Sequence, residues 1–161
     1  MLLNQQHLTA ILPNAYSPMK ASLFKCSYVL HKWSGDLGYK DEDGYFWIVG
    51  RTDDIIFVNG VNINPCDVEE CLISHQAVLA CAVVSSPDPL GQASVKAFVV
   101  LSSDFKNKEP NEMIKELQDY VTKKTGAWMS PRKIEFVDAF PTTLTGKINR
   151  NQLKQKEWNQ F

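Results

Sequence analysis

The sequence contains no apolar run approaching the length of a membrane span, so nothing in it reads as a bilayer-crossing helix. Neither sign of charge is in excess: 17 Lys and Arg against 18 Asp and Glu leave a formal net charge of -1. That balance offers no global electrostatic attraction for nucleic acid. The four cysteines (Cys26, Cys66, Cys71, Cys81) form no Cys-x-x-Cys pair and lack a histidine cluster. Zinc is therefore disfavoured, and buried reduced thiols are expected. The eight glycines are scattered, so the chain has no glycine-rich phosphate cradle of its own. The first 35 residues lack Asp and Glu, and their only formal charges are Lys20, Lys25 and Lys32. An acid-free start is shared with organelle transit peptides, but arginine is missing, so an irregular or atypically started segment is the preferred alternative.

What is present is ordinary for a soluble globular chain: 161 residues, 44% hydrophobic and 22% charged. Residues 1–33 are interrupted by Pro13, Asn14 and Pro18, and regular structure is expected from Leu37 onward. Residues 37–40 and 45–49 flank Asp41-Glu42-Asp43-Gly44 and read as one hairpin. Residues 55–58 and 61–63 flank Asn59-Gly60 and read as a second, because both dipeptides accept the positive φ of tight turns. A helix then starts at Asn64-Pro65, with Asn64 as cap and Val68, Cys71 and Leu72 as the buried stripe. Two β-branched strands over 77–85 and 95–101 follow. A helix over 110–125 is capped by Asn111 and ended by Gly126, with Met113, Ile114, Leu117, Tyr120 and Val121 facing inward. A short strand over 134–137 and a polar helix over 149–158 complete an α+β domain, a small mixed or antiparallel sheet flanked by helices.

Chemistry concentrates in three places. In Pro141-Thr142-Thr143-Leu144-Thr145-Gly146-Lys147-Ile148-Asn149-Arg150, Lys147 follows a glycine on an uncharged loop, where an ammonium can approach an anion closely. The run is not a P-loop, since Ile148 replaces the Ser or Thr that would hold magnesium. Asp36, after Gly35, suits bidentate binding of vicinal hydroxyls, or else closes an Asx-turn. Arg51 follows an apolar strand and suits hydroxyls or phosphate, or else pairs with Asp53 or Asp54. Those two acids have no third oxygen ligand at a recognisable spacing, so no metal site is expected. Asn59-Gly60 is a turn, or a place where a thin ligand passes bare backbone. His75, just past a helix end, reads as structural.

In combination these runs resemble the adenylate-forming enzymes: acyl-CoA synthetases, luciferases and peptide-synthetase adenylation domains. Ser34-Gly35-Asp36 looks like the Thr-Gly-Asp block. Gly50-Arg51-Thr52-Asp53-Asp54-Ile55-Ile56 through Gly60-Val61-Asn62-Ile63-Asn64-Pro65 and Val68-Glu69 looks like the hinge block, and residues 141–150 look like the closing lysine block. The intervening segments are most similar to medium-chain acyl-CoA synthetases.

The resemblance implies that Asp36, Arg51 and Lys147 bind ATP and that Lys147 is the catalytic lysine of acyl-adenylate formation. It further implies that Asp53 is a hinge and that Asn59, Gly60 and Val61 line the CoA passage. Fatty acid, ATP and CoA are the implied substrates. Mg2+ is implied for a full enzyme but not as a ligand of this chain, and the mitochondrial matrix is the implied location.

On this reading residues 1–33 are an atypical segment, 34–52 a remnant of a large domain, and 53–161 the C-terminal lid domain. The chain is then a fragment or truncated isoform of a fatty acid–CoA ligase, with a non-catalytic nucleotide- or partner-binding module as the alternative. Asn62, Gly91 and Met129 stand where the family pattern has basic residues, which weighs against CoA binding more than against adenylation.

Overall fold

A computed structural model describes residues 27–31, 35–40, 43 and 45–159. Ser34, the Asp41, Glu42 and Gly44 positions of the expected turn, and residues 1–26 lie outside the described residues. The chain divides into two compact units, Met1–Ile55 and Ile56–Phe161.

In the first unit, β1 (Ser27–His31), β2 (Asp36–Lys40) and β3 (Phe46–Arg51) form an antiparallel sheet in that order. The expected hairpin is therefore β2–β3, and a third strand precedes it where irregular chain was expected. Tyr28-Val29-Leu30 has the β-branched and aromatic character of a strand, but no alternation distinguishes it from a loose apolar stretch. It is defined by its ladder with β2, from Ser27 opposite Lys40 to His31 opposite Asp36. A short 3-10 turn, Thr52–Asp54, closes the unit.

The second unit opens with a hairpin, β4 (Ile56–Val58) and β5 (Val61–Ile63), joined by Asn59-Gly60 as the dipeptide predicts. Both turn residues take positive φ, 49° and 83°, which fits a type I′ turn. Ile56 and Ile63, paired across this hairpin, are each 1% exposed and enter the main core. Helix α1 (Pro65–Ile73) follows at once. The Asn64 side chain accepts a hydrogen bond from the Cys66 N–H at 3.2 Å, and Pro65 supplies the preset φ of the first turn.

A three-stranded sheet comes next: β6 (Val78–Pro87) antiparallel to β7 (Ala93–Leu101), and β7 parallel to β8 (Lys133–Phe136). Helix α2 (Pro110–Thr125) makes the crossover from β7 to β8 that a parallel pair requires. Its cap is Glu109, whose carboxylate accepts from the Glu112 N–H at 2.9 Å, and not Asn111. The reason is the proline: Pro110 occupies the first helical position and holds the preceding residue in extended backbone, so the residue before the proline caps, as at Asn64-Pro65. Gly126 ends the helix as expected, its N–H donating to Thr122 O at 3.0 Å. Helix α3 (Arg150–Asn159) ends the described chain.

Alternation along β6 and β7 splits the interior into two layers. Cys81, Val83, Val95, Ala97, Val99 and Leu101 meet Val68, Cys71 and Leu72 of α1 and Met113, Leu117 and Val121 of α2. Ala82, Val84 and Phe98 point to the opposite face and pack with Leu153 of α3. With helices on both faces, β7 reads as a nearly unbroken buried run. Of the five α2 residues expected inward, Met113, Leu117 and Val121 are buried while Ile114 and Tyr120 are half-buried. Leu117→Ala is expected to cost about 3 kcal/mol in urea unfolding, and Ile114→Ala distinctly less, because only the first leaves a cavity inside a closed core.

Candidate functional site

The expected ribose-binding residues are set by strand pairing in the first unit. Asp36 and Arg51 are partners in the β2–β3 register, the first residue of one strand opposite the last of the other. Arg51 Nη1 lies 3.6 Å from Asp36 Oδ1, and Nη2 donates to Asp53 Oδ2 at 3.1 Å. The local pairing with Asp53 is thus present, and the same guanidinium also reaches Asp36. Gly35 O accepts both the Thr52 hydroxyl, at 2.9 Å, and the Thr52 N–H, at 2.8 Å, which fixes the turn carrying Asp53. These ion pairs are open to water, with 74% of the Asp53 side chain exposed, so each contributes no more than about 1 kcal/mol. What the arrangement offers is an acceptor carboxylate beside a multi-donor guanidinium, the pattern that binds a vicinal diol.

Lys147 belongs to the second unit and lies on an exposed loop with internal order. Thr143 N–H donates to Lys147 O at 2.8 Å, and Gly146 N–H to Thr143 O at 2.9 Å. Asn149 N–H closes the base on Pro141 O at 2.7 Å, and Thr142 bridges Ile148. The Lys147 N–H meets the Thr143 hydroxyl at 3.2 Å, and Gly146 takes φ 78°, the left-handed bend that glycine admits without strain. Leu144 at the tip is fully exposed. Asn59 and Gly60 lie on the separate β4–β5 turn, and the half-buried Val61 that follows packs against the edge of the core.

The segment after Lys147 is anchored by charges that sequence reading did not join. Arg150, first residue of α3, grips both carboxylate oxygens of the buried Glu69 on α1: Nη1 on Oε1, and Nη2 on Oε2 at 2.8 Å. Glu69 Oε1 also accepts the Val83 N–H of β6 at 2.6 Å. At the far end of α3, Glu157 binds the buried Lys96 of β7 at 2.6 Å and accepts from the Ser86 hydroxyl at 2.9 Å. Lys96 also donates to Glu135 at 2.6 Å and sits 4.7 Å from the centroid of the Phe98 ring. A lone lysine inside the run Val95-Lys96-Ala97-Phe98 was the available signal. Burial works against the charge on Glu135, but hydrogen bonds from Lys96 and Lys156 outweigh it and hold the carboxyl below the usual range.

Among the described residues, Cys71 and Cys81 are buried free thiols. Burial, reinforced by the Glu69 carboxylate, pushes Cys81 up to about 12, and burial also raises Cys71. His75 is buried and structural: Nδ1 accepts from the Ala77 N–H at 3.2 Å, and Nε2 faces Glu116 at 3.5 Å. It borders a cavity of about 510 Å³ along α2 that holds none of the expected site residues. Met129 is 2% exposed within the main core, so it fills space where a ligand-facing position was expected. Among the described residues no group of three or more His, Cys, Asp or Glu gathers as metal ligands would, and no helix is long and apolar enough to cross a membrane.

Set against known proteins, residues 67–147 match the model of the AMP-binding enzyme C-terminal domain. The acyl-coenzyme A synthetase ACSM4, mitochondrial, of Homo sapiens is 53% identical over 125 residues, 78% of this chain and 22% of that protein. Its counterpart ACSM3, mitochondrial, of Mus musculus is 50% identical over 125 residues, with the same coverage of 78% and 22%. The chain therefore spans about a fifth of the length of these relatives. The crystal structure of the anthranilate CoA ligase AuaEII in complex with anthranoyl-AMP is 40% identical with a TM-score of 0.68, covering 77% of this chain and 24% of that one.

Two outcomes test the electrostatics of this unit. The Glu135 contribution to stability is complete above the ordinary glutamate pKa of about 4.3 and is lost as pH falls through the lower value in the folded chain. Between about pH 5 and pH 3 the urea midpoint should therefore drop more steeply for the wild type than for Glu135→Gln. Iodoacetamide at about pH 8 should spare Cys71 and Cys81 until the chain unfolds, as read by peptide mass mapping.

Proposed function

The chain belongs to the AMP-binding enzyme C-terminal domain family, and from that premise we propose that it is the lid domain of a medium-chain fatty acid–CoA ligase. The reaction has two steps. A fatty acid carboxylate oxygen attacks the α-phosphorus of ATP, the bond to the β-phosphate oxygen breaks, and pyrophosphate leaves. The CoA sulfur then attacks the acyl carbonyl and AMP leaves. Supporting this reading is Lys147, exposed on an ordered loop at the last residue of the family match. Its ammonium would neutralise charge that accumulates on the α-phosphate oxygens as the carboxylate attacks.

Asp36 accepts from the ribose hydroxyls while Arg51 donates to the nucleotide. Asp53 is the hinge about which residues 53–161 turn between the two steps, with residues 34–52 belonging to the larger domain. The Asn59-Gly60-Val61 backbone borders the CoA passage, and Gly60 admits close approach because nothing lies within 4 Å of where its Cβ would be. Mg2+ would be held by triphosphate and large-domain groups, and the matrix of the mitochondrion is the proposed location.

A second reading, a non-catalytic module that binds nucleotide or a partner protein, draws support from uncharged Asn62 on β5 and Gly91 in the β6–β7 turn, which offer CoA phosphates no cation. Complementation separates the two. Supplied with the large domain of a medium-chain synthetase, octanoate, ATP and CoA, the chain should restore pyrophosphate release. Lys147→Ala should slow that step by about 100-fold and leave thioester formation from added octanoyl-AMP nearly unchanged. Equal adenylation rates for wild type and variant would sink the assignment.

A further inference from the structure

We propose that the buried Glu69–Arg150 pair is a positioning device for Lys147, holding the lysine loop at one place on the domain; its catalytic consequence rests on the lysine role given above. The loop cannot hold itself. Residues 142–147 are exposed, so no core contact fixes the tip, and the internal hydrogen bonds set its shape but not its orientation. Orientation has to come from the base.

On one side of the base, Ile148 is half-buried against the Ala82, Val84, Phe98 and Leu153 cluster. On the other, Arg150 occupies both oxygens of Glu69 and also donates to Val83 O at 3.3 Å, joining the start of α3 to α1 and β6 together. Asn149 lies between, closing the loop on Pro141 and capping α3 through the Gln152 N–H at 3.1 Å. A guanidinium fork fixes direction as well as distance, which a lysine point charge does not.

Stability alone is a poor account of this pair. Removing two charges from water offsets most of their mutual attraction, and apolar side chains of like volume usually replace buried pairs without loss. Geometry is what the pair adds. A displaced catalytic group is costly, because an error of about 1 Å can lower a rate about 100-fold.

The experiment uses the chain itself and NMR relaxation of backbone amides. In the wild type, Gly146 and Lys147 should be nearly as ordered as Ala97 and Val99 of β7, with order parameters of about 0.85. In Arg150→Met the two loop amides should fall below about 0.6 while the β7 values hold, and Arg150→Lys should recover only part of the loss. Should a carboxylate left alone in the core unfold Arg150→Met, Glu69→Gln/Arg150→Met removes both charges and should still loosen the loop. Unchanged loop order in every folded variant overturns the proposal.

In the complemented system the double variant should lower kcat for adenylation about tenfold, with the KM for ATP and the thioester step held. A loosened loop with an unaltered kcat would overturn the catalytic consequence. Absence of adenylation in the wild type would overturn the functional reading, leaving the positioning role to stand on the relaxation data.

Discussion

A single carboxylate, Glu69, holds together the parts of the second unit that the sequence keeps farthest apart. It lies on α1, 8% exposed, beside the apolar residues Val68, Cys71 and Leu72 that make that helix part of the core. Its two oxygens receive the Val83 N–H of β6 and the fork of Arg150, a residue 81 positions later. Placing a charge there is acceptable only because every oxygen is met by a donor. Burial, with the Glu69 carboxylate adding to it, pushes the neighbouring Cys81 up to about 12, and the Arg150 fork keeps the start of α3 in register with α1 and β6.

The opposite end of α3 repeats the logic with other residues. Glu157 joins Lys96 and Ser86, and Lys96 shares itself between Glu157 and Glu135 across the parallel β7–β8 pair. Between these two polar clamps α3 contributes little apolar surface, with Leu153 its sole buried hydrophobic. A helix this polar has little intrinsic reason to dock. Its placement comes from paired charges at both ends, and the lysine loop inherits that placement because it is the segment leading into the helix.

The first unit uses charge differently. Asp36, Arg51 and Asp53 are joined at a strand end where water screens them, so their contacts are cheap to exchange for those of a ligand. Exchangeable ion pairs suit a group that must let go of one partner to take another. Buried, fully met pairs suit a group that must not move. The two kinds occur in different units of this chain, one around the candidate ribose contacts and the other behind Lys147.

Much of this was legible in the sequence wherever the decisive chemistry is local. Asn59-Gly60 makes its turn because only those backbones accept the required φ, and Asn64-Pro65 starts a helix because cap and preset φ are adjacent. Gly126 stops one for a similarly local reason. Family membership was legible too, since runs such as 50–56 and 141–150 keep their residues in order. Strand β1 was not, because Tyr28-Val29-Leu30 becomes a strand only by pairing with β2. Glu109 displaced Asn111 as a cap because the neighbouring proline shifts the helix start by two residues. The pairings Glu69–Arg150 and Lys96–Glu157 belong wholly to the tertiary structure. Nothing in a linear chain says which carboxylate will meet which cation; that is decided when two sheet faces are covered by helices and each buried charge must find a partner or stay in water.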